Sequence, residues 1–142
     1  MRRLNVNRVN EQLDTHNTAC LDRRTTPKLV LGLIHGELAR GLELQFKAAG
    51  WRVCSADTAA ELRAKAEGGK AAAIVLPVSA CGGESGYLTC AKLVQTLPGV
   101  RVVMVGPESK RYARFAKFAG AAAYLPDTAT TAELAKAICP TR

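Results

Sequence analysis

Aromatic side chains are scarce, with three Phe, three Tyr and one Trp in 142 residues. Any core must therefore be assembled from Ala, Val, Leu and Ile, which let helices lie close against a sheet. No stretch approaches the about 18 uninterrupted apolar residues of a membrane-spanning helix, so membrane insertion is not expected. The start, Met1-Arg2-Arg3-Leu4-Asn5, is basic but has no apolar run behind it, unlike a signal peptide. No CxxC pair occurs. The five cysteines, Cys20, Cys54, Cys81, Cys90 and Cys139, are odd in number and dispersed, which argues against a disulfide framework or a zinc knuckle. Reduced thiols in a cytoplasmic chain are the expectation. Carboxylates are in deficit, 12 against 20 Lys and Arg, for a net charge of +8. Such an excess favours acidic partners, nucleic acid among them, and says nothing about fold. The length leaves room for one domain and a short appendage.

Two regions differ in composition. Residues 1–26 hold four Asn and five Arg with sparse apolar positions, and Pro27 marks a break. This stretch reads as a basic N-terminal extension, partly disordered or a docking arm, ahead of a domain over 27–142. From Lys28 the pattern becomes regular. The run Leu29–Ile34 is continuously apolar, as in a strand buried on both faces. Leu38, Leu42, Phe46 and Ala49 then form a helical stripe over Glu37 to Ala49, ended by Gly50. Trp51 to Ser55 reads as a second strand. Thr58 and Glu61 make a capping box for a helix to about Glu67, closed by Gly68-Gly69.

Ala72 to Leu76 is the third strand, followed by a glycine-rich loop and a helix over Tyr87 to Leu97. The fourth strand spans Val100 to Val105, and a helix runs from about Ser109 to Ala119. The fifth strand, Ala122 to Leu125, leads to a last helix opened by Thr130 and Glu133. Strict alternation of apolar strands and helices requires parallel pairing with right-handed crossovers. The expected fold is α/β: a flavodoxin-like, doubly wound, five-stranded parallel sheet of order 2-1-3-4-5 with helices on both faces.

The ordered landmarks resemble the receiver domain of bacterial response regulators. Pro27-Lys28-Leu29-Val30-Leu31 opens as receivers do, and Ala48-Ala49-Gly50-Trp51 stands where that family ends its first helix with Glu-x-Gly-Tyr. Ala119-Gly120-Ala121-Ala122-Ala123-Tyr124-Leu125 is similar to the family's Ala-Gly-Ala-x-x-Tyr-Leu. The resemblance implies a site at the carboxyl ends of the strands. There, two acids and an Asp hold Mg²⁺, the Asp accepts a phosphoryl group, and a hydroxyl and a lysine stabilise its charge. In this chain the acid-pair positions fall on Leu33 and Ile34, the acceptor on Pro77, the hydroxyl on Gly106 and the lysine on Asp127. No Asp lies between Lys28 and Asp57, so a shifted alignment does not restore the cluster. The resemblance therefore implies a degenerate receiver that acts without phosphorylation, with no phosphoacceptor, no metal and no cofactor.

Other constellations carry less. Ser85 in Gly83-Glu84-Ser85-Gly86 is close to an esterase elbow but one residue short of Gly-x-Ser-x-Gly, and it lies too far beyond its strand. The loop also lacks the Gly-Lys-Ser/Thr close of a phosphate cradle. His35 is placed at the end of strand one, facing the vestigial pocket with Cys81 as a neighbour; one His and one Cys underdetermine a metal site. No catalytic residue is assigned.

The fourth helix is the most informative surface. Lys110, Arg114 and Lys117 share one stripe, Arg111 adds a fourth cation, and Tyr112, Phe115 and Phe118 interleave. Ala113, Ala116 and Ala119 suit the sheet-facing side, which leaves Phe115 and Phe118 at least partly outside. Exposed aromatics beside arginines suit a partner-binding face. In the resembling family the fourth helix, fifth strand and fifth helix form the output and dimerisation surface, and Tyr124 matches its switch aromatic. With Gly106 in place of the hydroxyl, Tyr124 is expected to keep one rotamer. The preferred expectation is a non-enzymatic regulatory module binding a protein partner, acidic or a second copy, through Lys110, Arg111, Arg114, Phe115, Lys117, Phe118 and Tyr124. The alternative is nucleic-acid binding by Arg2, Arg3, Arg8, Arg23 and Arg24 together with Lys110, Arg111 and Arg114.

Overall fold

A computed structural model describes residues 26–79 and 84–140. The expected extension, apart from Thr26, lies outside the described residues, as do Cys20 and Cys81. Strands and helices alternate: β1 (Lys28–Gly32), α1 (Gly36–Ala48), β2 (Arg52–Ala56), α2 (Ala59–Gly69), β3 (Ala73–Pro77), α3 (Gly86–Thr96), β4 (Arg101–Gly106), α4 (Lys110–Ala119), β5 (Ala123–Pro126) and α5 (Thr131–Ile138). All pairings are parallel and the strand order is 2-1-3-4-5, as expected from the alternation.

Both sheet faces are covered, which is why the strands are apolar throughout. Leu29, Leu31, Val75, Val103 and Val105 point to one side and bury Leu42 and Phe46 of α1 with Leu134 and Ile138 of α5. Val30, Ile74, Leu76, Val102 and Met104 point to the other, against Leu62 and Ala66 of α2, Cys90 and Leu93 of α3, and Ala116 of α4. The single Trp51 meets Phe46 edge-on at 5.0 Å between centroids.

Three local expectations need correction. First, β1 stops at Gly32 instead of Ile34, because Leu33 turns into the left-handed region at φ 59° while its N–H donates to the Ala56 carbonyl at 2.8 Å. Second, Gly68 and Gly69 do not close α2; the left-handed residue after it is Lys70 at φ 52°. Gly69 serves space instead: a Cβ there would lie 2.6 Å from Nζ of Lys28, which donates to the Lys65 carbonyl at 2.7 Å. Third, the Thr58 hydroxyl accepts from the Glu61 N–H, but the Glu61 carboxylate reaches the Asp57 N–H and not that of Thr58. The Thr130–Glu133 box at α5 is complete in both directions.

Cys54 and Cys90 are free thiols, and burial pushes Cys90 up to about 11. Cys139 is disulfide-bonded, contrary to the expectation that every thiol is reduced; the dispersed spacing of the cysteines held no signal for it. Among the described residues no helix is long and apolar enough to cross a membrane.

Candidate functional site

The carboxyl ends of β3, β4 and β5 converge on a cavity of about 630 Å³. Its floor is Pro77, Val78, Val105, Gly106 and Pro107, its walls are Tyr87 of α3 with Tyr112 and Phe115 of α4, and Asp127 stands at its edge. The strand ends thus bring Pro77, Gly106 and Asp127 together. Leu33 and Ile34 are not part of the lining. The left-handed turn at Leu33 carries the chain aside, and Ile34 is 8% exposed within the core beneath α1 and α5. His35 does not face the cavity either, contrary to expectation. It is exposed, with Nε2 3.9 Å from Oδ1 of Asp57 at the end of β2.

Tyr124 lies against the cavity floor. Its hydroxyl donates to the Pro107 carbonyl. A Cβ at Gly106 would lie 2.7 Å from that hydroxyl and 2.7 Å from Cγ2 of Val78, so the missing side chain of Gly106 is the space the phenol occupies. Burial raises the Tyr124 pKa, with Tyr87, Asp127 and Tyr112 adding to the effect.

No family model matches the sequence, and no curated protein matches it. Solved structures do match. A response regulator from Burkholderia pseudomallei, determined with a phosphorylated aspartic acid, calcium ion and citrate, is 23% identical with a TM-score of 0.69, covering 79% of this chain and 66% of its own. A receiver domain protein from Methanospirillum hungatei is 21% identical with a TM-score of 0.68, covering 79% of this chain and 90% of that one. The Vibrio cholerae chemotaxis protein CheY4 is 18% identical with a TM-score of 0.68, covering 79% and 95%. The chain has the receiver-domain fold.

The Burkholderia pseudomallei structure holds a calcium ion, and the residues at this site do not fit one. A hard dication takes oxygen ligands, whereas Leu33 and Ile34 offer hydrocarbon and Pro77 has neither a carboxylate nor a nucleophile. Among the described residues Asp127 is the single carboxylate in the cavity lining. Among the described residues no group of three His, Cys, Asp or Glu side chains is placed to hold a metal.

Beside the cavity, Glu84 forms a junction that sequence reasoning missed. Its carboxylate accepts from Oγ1 of Thr89 at 2.6 Å, from Nη1 of Arg63 at 2.5 Å and from Nζ of Lys92 at 3.1 Å, tying α2 to α3. The Thr89 hydroxyl, with Lys92 and Arg63, holds the carboxyl down to about 2 against opposing desolvation. Arg63 lies 21 positions upstream, which hid the pairing; Thr89 and Lys92 on the adjoining helix were the only local hint. Because the folded pKa is depressed, the stabilisation is complete above the ordinary value of 4.5 and is lost as pH falls towards 2. Glu84→Gln is expected to cost about 2 kcal/mol near neutral pH. In urea unfolding, its difference from wild type should narrow as pH falls from 4.5 to 2. The Ser85 hydroxyl caps α3 by accepting the Leu88 N–H at 3.1 Å.

Helix α4 opens on a Ser109 cap and closes on Gly120 in the left-handed region at φ 103°. Ala116 is fully buried and Ala113 and Ala119 are half-buried, as the small-residue stripe predicts. Phe118 is 82% exposed and Phe115 is 46% exposed. Phe115 meets Tyr87 edge-on at 5.9 Å, so it belongs to the cavity wall as well as to the outer face. Among the described residues Phe118 stacks on no other ring. Lys110, Arg111, Arg114 and Lys117 are all exposed, and among the described residues none forms a salt bridge.

Proposed function

We propose that this chain is a non-enzymatic signalling module that docks on an acidic partner protein through α4, β5 and α5, without taking up a phosphoryl group. The observation that carries the reading is Phe118, a large ring left 82% exposed among four cations that form no salt bridge among the described residues, on a helix whose other side is sheet-packed. An aromatic ringed by arginines and lysines suits a partner with an apolar pocket and an acidic rim. A two-fold pairing of α4 with itself would instead set Lys110, Arg111, Arg114 and Lys117 against their own copies, which favours an acidic partner over a homodimer.

Loss of phosphotransfer is supported by the residues standing where receivers keep their chemistry: Leu33 and Ile34 for the acids, Pro77 for the acceptor, Gly106 for the hydroxyl and Asp127 for the lysine. The hydrogen bond from Tyr124 to the Pro107 carbonyl, over the space left by Gly106, supports one fixed ring position in place of a two-state switch.

The double variant Arg114→Glu, Phe118→Ser tests the docking face. Both residues are exposed, so its stability should stay within about 0.5 kcal/mol of wild type. Immobilised wild-type protein should retain acidic polypeptides from native lysate that the variant does not retain. An identical retained set would contradict the reading. The same basic stripe supports a second reading, nucleic-acid binding by Lys110, Arg111 and Arg114 joined by Arg2, Arg3, Arg8, Arg23 and Arg24, which lie outside the described residues. That reading requires affinity for duplex DNA or for RNA to fall steeply and log-linearly with salt.

A further inference from the structure

We propose that the cavity bounded by Pro77, Gly106, Tyr87, Tyr112, Phe115 and Asp127 binds a small organic amine, its apolar body against the rings and its ammonium on the Asp127 carboxylate. The location is the first reason. The cavity opens at the carboxyl ends of β3 and β4, where parallel α/β sheets place their ligands. At about 630 Å³ it is the size of a small-molecule site. Its walls are predominantly apolar: Val78 and Val105 are buried, and the ring of Phe115 stands edge-on to Tyr87.

Charge decides the class of ligand. Among the described residues, Asp127 is the one formally charged side chain in the lining, and no Lys, Arg or His contributes to it. Its N–H donates to the Gly106 carbonyl at 2.8 Å, which fixes the residue at the cavity mouth. Among the described residues no cation pairs with its exposed carboxylate, although the chain as a whole is strongly basic. The faces of aromatic rings are electronegative and attract cations. An anionic ligand would meet aromatic rings and a carboxylate, with no basic group among the described lining residues to receive it. An ammonium on an apolar body meets complementary groups at both ends. The site shares Phe115 with the docking face but needs neither Phe118 nor the basic stripe.

The test is an NMR titration with three probes that share a phenyl body and differ in charge: phenethylamine, phenethyl alcohol and phenylpropionate. Phenethylamine is expected to shift the signals of Gly106, Asp127, Tyr87 and Phe115 in a saturable way, with Kd about 1 mM or tighter. The alcohol should bind roughly threefold to tenfold more weakly, and phenylpropionate not at all. Asp127→Asn keeps the backbone N–H and alters an exposed group, so the fold should be retained. It should abolish the preference for the amine and leave binding of the alcohol unchanged. Equal shifts with phenylpropionate, an amine preference that survives Asp127→Asn, or no saturable shift from any probe would each overturn the proposal.

Discussion

Gly86→Ala is expected to lower stability by about 4 kcal/mol or more and the melting temperature by roughly 15 °C, read by circular dichroism. A Cβ on this residue would lie 2.0 Å from the Pro77 carbonyl oxygen and 2.9 Å from the Val78 Cα. Both obstacles are backbone, so no side-chain rotation relieves them. Gly86 also donates its N–H to the Val78 carbonyl at 3.2 Å, and the close approach of α3 to the end of β3 depends on that contact. For the methyl to fit, α3 has to retreat, taking with it the Ser85 cap, the Glu84 junction and the buried Cys90 and Leu93. Gly68→Ala is the matched control. Nothing lies within 4 Å of its added Cβ, and it sits inside α2. Replacing glycine there should gain about 0.5–1 kcal/mol. A melting curve for Gly86→Ala that overlays wild type would show that β3 and α3 do not meet as described.

Ile34→Asp is the second large effect expected. It restores an acid where the resembling family keeps one, but here the side chain is 8% exposed in the core shared with Leu31, Leu42 and Leu134. The loss combines forfeited apolar burial with desolvation of a carboxyl set in an apolar cluster, about 3–5 kcal/mol near neutral pH. The sign with pH is opposite to that of Glu84. Burial raises the pKa of the new carboxyl, so its penalty is smallest in acid and grows as pH climbs past the ordinary Asp range. Ile34→Val, which keeps the packing, should cost about 1 kcal/mol. Chemical unfolding of the three proteins at acid and neutral pH separates a core residue from a spare ligand position. If Ile34→Asp matched wild type at both, Ile34 would not be the core element described.

The architecture was legible because each strand is an apolar run of the length that two covered faces demand, and each helix carries its own punctuation. Thr58, Ser109 and Thr130 cap where the pattern placed helix starts, and Gly50 and Gly120 adopt the left-handed conformation past helix ends. The pair Gly68-Gly69 misled because glycine is selected for two different reasons. At Gly50 it serves a positive φ; at Gly69 it leaves room for Lys28, a partner far away in sequence. The exposed phenylalanines of α4 were legible for the converse reason, since Ala113, Ala116 and Ala119 take the inner face and leave the rings outward.

The site was legible only in part. The family resemblance placed Pro77, Gly106 and Asp127 at one site, and all three line the cavity. Leu33 and Ile34 did not follow, because the left-handed turn at Leu33 redirects the chain in a way that hydrophobicity does not encode. The cavity itself was invisible beforehand. Tyr87, Tyr112 and Phe115 come from two helices, and only their packing angle decides whether three rings fill a core or line a space. Glu84 was hidden similarly, its long-range partner Arg63 lying on α2.

The central claim is that the carboxyl end of this sheet has exchanged phosphoryl chemistry for apolar and aromatic walls. Titration of the isotopically labelled protein with beryllofluoride and Mg²⁺, followed by NMR at Gly106, Tyr124 and Asp127, tests it most directly. The account predicts spectra that do not change. Stoichiometric, saturable shifts at those residues, or a covalent phosphoryl adduct by mass spectrometry after acetyl phosphate and Mg²⁺, would contradict it.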